Sequence, residues 1–568
     1  MAKRYRPVDR DQPFLFPPDM RDWLPVDHPV WLVITAVEDH LDTSAFHALR
    51  RAGGAGAAGY DPDMLVTVLV WAYAHQVTSS RRIEQLCGTD VAFRVICGGN
   101  LPDHVTIARF RSAFGGAIGP FFAQVLALCA RLGMGKLGVV ALDGMKIAAS
   151  ASKAANRTEE TLARLAAETV ARHGQTDAAE DGLFGAGAAG DEVPEDAWSP
   201  RRRDERIAAA LASLRAGRAA AEQAEADKAQ AWRDRREGGQ PAGPPPAASA
   251  VALAEEGLAR ARAERAAELA AVEARRAAGQ RQRGRAAGID DYCRVRQAAA
   301  AAGAARAREG DAQARAAQKQ KDRKGPGPVR NLTDPDARLM PVRGGGWVEG
   351  YNTQNVTSQD GLIIATDLTD DPADTAWFEP MLRAAEDAAR LIAAHRPPPE
   401  PGDTPAPGDG GDDRGDRMGA LVTALIKLFL SDAGYLSEHN LSIPGPDRLI
   451  ATGKHRNLEK AARDPATPGG VPWASPVIAA MAARLATPGG IAAYRHRGHI
   501  AETPHGHIKH NMRFRQLSVR GKPKAKAEWT FVCAVHNLFK AITTGNLTAA
   551  ALGNLPSHAG YPPAPQAA

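Results

Sequence analysis

Aromatic residues make up only 5% of this 568-residue chain, and alanine inflates its 44% apolar fraction. Cysteine is scarce as well. Cys87, Cys97, Cys129, Cys293 and Cys533 are scattered without a CxxC pair, which sets aside zinc fingers and a disulfide framework and suits a reducing cytoplasm. No run approaches about 18 uninterrupted apolar residues, so no membrane span is expected. The opening MAKRYRPVDRDQ carries charges but no apolar core, so no signal peptide is expected either.

What is present is length and a mild positive charge. A chain of 568 residues exceeds one ordinary core, and two or more domains are expected. The net charge of +6 is weak evidence for a nucleic-acid partner by itself. Its distribution says more, because basic residues cluster in the middle and near the C-terminus.

Residues 1–130 read as a compact all-α helical domain. Short segments begin at Asp61-Pro62, Ser79-Ser80 and Pro102-Asp103, where side chains can cap a helix. Arg81, Arg82, Arg109 and Arg111 lie on the last of these segments and fit a helix-turn-helix-like DNA-binding module. Spacing alone equally allows an ordinary bundle with solvated arginines.

Residues 137–154 are expected to hold the first strand. Residues 155–330 are an Ala/Arg/Glu-rich insertion, broken at Gly238–Pro246, which predicts a long helical hairpin or a partly disordered charged segment. Strand-like sequence resumes at 350–356 and 361–368, a plausible hairpin, followed by a helix over 375–394; these fall in a 331–396 block. A Pro/Gly/Asp-rich linker covers 397–417. Residues 418–548 hold a strand ending at Asp432, a strand at 448–452, a second Pro/Gly-rich stretch ending near 490, a basic segment and a final helix over 532–542. A disordered tail is expected over 549–568.

Three acids carry the chemistry. Asp143 ends the apolar run 137–142, and Asp432 ends the run 424–431. Glu502 is the only acid between Arg495 and Lys526. Cutting a phosphodiester needs an attacking oxygen and a leaving oxygen served together, which two Mg2+ ions about 3.5–4 Å apart accomplish. Mg2+ prefers carboxylates and keeps waters, so three acids suffice as ligands. Asp143 would bridge both ions, with Asp432 and Glu502 each holding one. A lone Asp at a strand end is ordinarily a turn residue; three acids in this order are the signal.

Thr503-Pro504 reads as an N-cap and first-turn proline, placing Glu502 at a helix start. Lys509 follows two turns on, and Tyr494 and Arg497 precede it. His496, His499, His505, His507 and His510 suggest zinc, but glycine and proline should interrupt any helix across them, no cysteine joins them, and a basic flank repels a cation. With Arg513, Arg515, Arg520, Lys522, Lys524 and Lys526 they are better read as phosphate contacts. Trp529 is expected in the core.

Strand, hairpin, helix, strand, strand, helix is the order of an α/β, ribonuclease-H-like mixed sheet, in which the Asp143 strand is central and the Asp432 strand lies beside it. The site residues also resemble a known family. Tyr494, Arg497, Glu502 and Lys509 resemble the Tyr-Arg-Glu-Lys signature of bacterial insertion-sequence DDE transposases. Asp143-Gly144-Met145-Lys146 resembles their Asp-Gly-Thr-Lys strand, and Asp432-Ala433-Gly434-Tyr435 their Asp-Ala-Gly-Tyr box. Gly350–Gln354, His536-Asn537-Leu538 and the runs 79–84 and 102–110 are similar too. Met145 departs from the usual threonine, and His505 stands where phenylalanine is common.

The resemblance implies a cytoplasmic, nucleoid-associated bacterial enzyme. It would bind the terminal inverted repeats of its element, cleave there with two Mg2+ ions (Mn2+ substituting) and transfer 3′ ends into target DNA. Its partners would be double-stranded DNA, as transposon ends and target, and a second copy in a homodimeric DNA complex. The alternatives are a catalytically inactive DNA-binding derivative, against which the three intact acids argue, and a phosphohydrolase for small substrates. The latter would need neither the helical N-terminus nor the basic C-terminal segment.

Overall fold

A computed structural model describes residues 19–48, 59–168, 171, 201–238, 247–280, 287–321, 328–342, 345–397, 425–453 and 475–557. Most of the 397–417 linker and of the 238–246 break lie outside them, as do residues 454–474 of the second Pro/Gly-rich stretch. The content is mostly helical, with a mixed sheet. Among the described residues no single helix is long and apolar enough to cross a membrane. The chain forms two compact units, one of residues 1–155 with 333–568 and one of 156–332.

In the first unit, α1 (Pro29–Thr35) and α2 (Ser44–His47) precede α3 (Pro62–Ala74). The Asp61 carboxylate caps α3 through Asp63 N–H, Pro62 supplies its first turn, and its apolar residues are buried on every face, as in a helix inside a core. Next come α4 (Ser80–Thr89), α5 (Val91–Ile96), capped by Asp90, and α6 (His104–Ser112), capped by Asp103. Ser79 holds the N-cap position of α4 without a side-chain capping bond. Helix α7 (Ile118–Arg131) leads into β1 (Val139–Ala148). These helices share one hydrophobic core with the sheet, so the separate 1–130 domain read from sequence is part of a larger unit. Their apolar faces are covered by the sheet's own helices, a partner that helical periodicity cannot reveal.

The second unit opens and closes on a short antiparallel pair, β2 (Asn156–Thr158) with β3 (Val329–Asn331). Between them run α8 (Arg201–Glu237), α9 (Ala247–Ala277) and α10 (Cys293–Lys321). Among the described residues the insertion therefore holds three long helices rather than the two of the expected hairpin. The overlooked break follows α9, where Gly279 at φ +78° takes a left-handed conformation that ends a helix. Leu162, Ile207, Ala210, Leu211 and Leu214 form this unit's own small core.

The sheet belongs to the first unit. Strands β4 (Arg338–Pro341), β5 (Trp347–Ser358), β6 (Ile363–Thr369), β7 (Leu428–Ser431) and β8 (Arg448–Ile450) join β1 in the order β4-β5-β1-β7-β8, with β6 also on β5. The β1–β5, β4–β5 and β5–β6 pairs are antiparallel, and β1–β7 and β7–β8 are parallel. β4 had no clear sequence signal. After β6, α11 (Phe378–His395) returns the chain toward β7. α12 (Glu438–Ser442) separates β7 from β8.

The C-terminal part departs from expectation in three places. Residues 476–485 form α13 (Pro476–Leu485) inside the stretch read as Pro/Gly-rich. Ser475 caps it, and its proline stands in the first turn, where a missing N–H costs nothing. Helix α15 (Lys522–Thr543) starts ten residues before the expected 532–542 and is largely buried, Trp529 included. The tail begins with α16 (Ala549–Gly553), capped by Thr548 and anchored by buried Leu552; residues 558–568 lie outside the described residues.

Candidate active site

Parallel pairing of β1 with β7, with Ala141 beside Leu430, carries Asp143 and Asp432 to the same end of the sheet. Asp143 sits within β1 opposite Asn355 of β5. Asp432 follows β7 and caps the short 3-10 turn Ala433–Tyr435, accepting from Gly434 N–H at 2.9 Å.

The third element is α14 (Pro488–Gly506), capped by Thr487. It corrects two expectations. Glu502 lies inside this helix, not at its start, and the helix runs unbroken through Gly498 and Pro504, carrying His496, His499 and His505. The start signal belonged to Thr487-Pro488. Pro504 is tolerated near the C-terminal end, where the helix gives way to a π-helical turn, His507–Asn511.

Arg497 of α14 links the two aspartates. Its Nη2 lies 2.8 Å from Asp143 Oδ1 and 3.6 Å from Asp432 Oδ2, and its side chain is 14% exposed. The guanidinium Nε and Ser431 Oγ are buried without hydrogen-bond partners. Burial opposes the Arg497 charge, but Asp143 and its neighbours outweigh that and raise its pKa.

His505 approaches from the same helix, its Nδ1 3.6 Å from Asp143 Oδ2 and its Nε2 3.2 Å from Asn355 Nδ2. Asn355 Oδ1 accepts from Thr366 Oγ1 and from Trp529 Nε1, which can only donate. The Asn355 amide therefore turns its N–H to His505 Nε2, leaving the ring proton on Nδ1, facing Asp143. Burial alone would raise the Asp143 pKa, yet the His505 bond and the Arg497 charge hold it below its usual range. Asp432 is pushed the other way. Its burial, with Asp143 and Asp374 nearby, exceeds the help from Arg497.

Glu502 is exposed and adds to the charge that stabilises Arg497. Among the described residues, the three acids do not present ligand atoms that all lie within 4.8 Å of one another; the trio that does is His47, Asp61 and Asp63. The Arg497 guanidinium stands between the two aspartates instead. Lys509, in the π-helical turn, is half-buried; burial and Arg515 lower its pKa, and Asp143 opposes them. Arg513 and Arg515 are exposed, and Arg515 Nε donates to Lys509 O.

Tyr494 departs from its expected role at a DNA surface. It is buried, its hydroxyl donates to Ser431 O at 3.2 Å, and burial pushes its pKa up to about 12. It braces the strand end that precedes Asp432. Arg111 likewise turns inward, donating to Tyr73 Oη, Thr78 O and Ser80 Oγ. Arg81, Arg82 and Arg109 are exposed, and Arg81 and Arg109 line an open groove of about 570 Å3 with Ser80, His104, Val105 and Ser112.

Sequence reasoning missed Asp374, just before α11. Its Oδ1 accepts from Asn352 Nδ2 at 2.7 Å and Gln354 Nε2 at 2.8 Å, with Lys146 Nζ at 3.5 Å. Nothing distinguishes it from its neighbours Asp370 and Asp371 in a polar turn.

Residues 18–113 match the family model described as Transposase domain (DUF772), and residues 473–542 match the one described as Transposase DDE domain. The two matches indicate a transposase. The second spans Arg497, Glu502 and Lys509 but neither Asp143 nor Asp432. No curated protein and no solved structure matches the chain.

Proposed function

We propose that this protein is a DDE-type transposase that binds the terminal inverted repeats of its own insertion sequence, cleaves DNA there and transfers 3′ ends into target DNA. The observation that carries the reading is the convergence of Asp143 and Asp432 on one cation, the Arg497 guanidinium, at the carboxyl end of paired parallel strands. Strands antiparallel in the order β6-β5-β1, then parallel as β1-β7-β8, support a ribonuclease-H-like sheet. The basic groove at Arg81 and Arg109 offers a surface for DNA phosphates.

The donor chemistry fits divalent cations of the Mg2+ class, with Mn2+ as substitute. An enclosed carboxylate, Asp143, and a partly exposed one, Asp432, already hold a positive group between them, and hard oxygen donors suit Mg2+. Asp143 and Asp432, joined by Glu502, would hold the ions, which supply Lewis acidity to the attacking and leaving oxygens. Around them, His505 fixes the Asp143 carboxylate and Tyr494 fixes the β7 end. Arg497, Lys509, Arg513 and Arg515 offer positive charge to the flanking phosphates. The Tyr-Arg-Glu-Lys signature then reads as one brace, two cations and one acid on a single helix and its following turn. The ends are held by a homodimer, since strand transfer needs two of them together.

The test is cleavage of a labelled duplex carrying the element's terminal repeat, with Mg2+ or Mn2+, by wild type and Glu502→Gln. Cutting that needs the cation and is lost in the variant is expected. Tight repeat binding without cutting by wild type, on a substrate with both ends, would replace this reading with an inactive DNA-binding derivative.

A further inference from the structure

Asp374 organises the face of the site opposite α14. Its Oδ1 gathers Asn352 and Gln354 of β5 and faces Lys146 of β1, whose Nζ also donates to Pro372 O at 2.9 Å. Gln354, held at its nitrogen by Asp374, accepts at Oε1 from the Tyr435 hydroxyl. Tyr435 ends the turn that begins at Asp432. A second arm starts one residue on, where Thr375 Oγ1 donates to Gly434 O at 2.8 Å. Asn440 Nδ2 then ties Thr375 O to Tyr435 O, each at 2.8 Å. The Asp432–Tyr435 turn is thus gripped from two sides by one two-residue segment.

The backbone leaves room for this and for little else. A Cβ on Gly144 would come within 2.8 Å of Asp374 Oδ1 and 2.9 Å of Gln354 Nε2; one on Gly434 would lie 3.2 Å from Asp374 Oδ2 and 3.0 Å from Asp432 Oδ1. Both glycines admit the same carboxylate. Asn352 Oδ1, fully buried and without a hydrogen-bond partner, faces the same point above Gly144 at 3.3 Å.

We propose that Asp374 is a positioning residue: through Gln354–Tyr435 and Thr375–Gly434 it sets the orientation in which the Asp432 carboxylate meets a divalent cation. This rests on the reading of Asp143 and Asp432 as the cation-holding pair. Outer-shell partners of this kind change cation affinity by about 10–100-fold when removed.

The test is Mn2+ binding to the purified full chain, read from the paramagnetic resonance of free Mn2+, with circular dichroism confirming the fold. The proteins are wild type, Asp432→Asn, Asp374→Asn, the double variant and Thr375→Val. Asp374→Asn is expected to weaken Mn2+ binding about tenfold, Thr375→Val to weaken it in the same direction, and the double variant to bind no worse than Asp432→Asn. Additive losses in the double variant would overturn action through Asp432 in favour of a general field effect. Unchanged affinity in Asp374→Asn and Thr375→Val, with a loss in Asp432→Asn, would overturn the positioning role alone. If Asp374→Asn does not fold, Thr375→Val decides. Unchanged affinity in Asp432→Asn would remove the cation-pair reading and this proposal with it.

Discussion

Arg497 Nη2 pairs with Asp143 Oδ1 at 2.8 Å, with both side chains less than one-fifth exposed, and Asp432 is the guanidinium's second carboxylate neighbour. An enclosed ion pair that loses one partner leaves a charge uncompensated, at a cost of about 3–5 kcal/mol. Arg497→Met should therefore lower the melting temperature markedly without divalent cation. Mg2+ or Mn2+ should then restore more stability to the variant than it adds to wild type, because the cation replaces the missing charge. Equal cation-induced shifts in the two proteins would refute a shared location for guanidinium and metal.

The two aspartates should respond to acid with opposite signs. The Asp143 pKa is held below its ordinary value by His505 and Arg497 against burial, so its contribution to stability is present above about pH 3.9 and lost as pH falls through the native value. The Asp432 pKa is raised, chiefly by burial, so its contribution is present below about pH 3.9 and lost as pH rises through the native value. Melting curves from pH 3 to 7 test this. Between the low and high ends, Asp143→Asn should gain less stability than wild type, and Asp432→Asn should gain more. Parallel profiles for all three proteins would contradict the asymmetry.

The neighbouring placement of Asp143 and Asp432 follows from two apolar runs that pair in parallel as β1 and β7, but the sequence suggested a strand end at both, whereas β1 continues past Asp143 to Ala148. The hairpin of β5 and β6 was legible for a related reason, its β-branched residues flanking a polar turn at Gly361. The α14 register was not. Thr503-Pro504 has the composition of a helix start, but Thr487-Pro488 has it too, and only packing of Tyr494, Ile500 and Ala501 on the sheet decides between them. Asp374 was illegible because its partners Asn352, Gln354 and Lys146 meet it only through strand pairing. Arg111 differs from Arg109 only in which helix face it occupies, and its partners on Tyr73 and Thr78 are distant in sequence.

That difference gives a paired prediction for DNA binding. Arg81→Ala and Arg109→Ala remove exposed cations from the groove, and each should weaken binding to any duplex and reduce the salt slope by about 1. Their stability should stay within about 0.5 kcal/mol of wild type. Arg111→Ala should instead destabilise the fold by about 1–3 kcal/mol, because Thr78 O and the Tyr73–Glu528 contact lose a buried donor. Fluorescence anisotropy at several salt concentrations, with thermal melts alongside, separates the two effects. A reduced salt slope in Arg111→Ala without loss of stability would return that arginine to the DNA surface.

His536 predicts a second, distinct acid sensitivity. It is buried in α15; its Nε2 lies 3.1 Å from Gly361 O and its Nδ1 3.0 Å from His507 Nδ1. Burial pushes its pKa down to about 3, and His507, Lys540 and His505 add to that against the Gly361 carbonyl. Burial lowers His507 as well. One ring must donate and the other accept for the two to pair, so a second proton breaks the contact. With a native pKa near 3 and an unfolded one near 6.5, the unfolded chain takes up the proton first. The His536 contribution is thus complete above about pH 6.5 and erodes as pH falls toward 3. His507 opens the turn that carries Lys509, while Asn537, next to His536, bonds both N–H and C=O of Ile363 in β6, so the loss falls between the site and the sheet. His536→Gln should flatten the decline in melting temperature between pH 6.5 and 3 relative to wild type. An unchanged slope would mean that the His507–His536 contact is not what acid breaks.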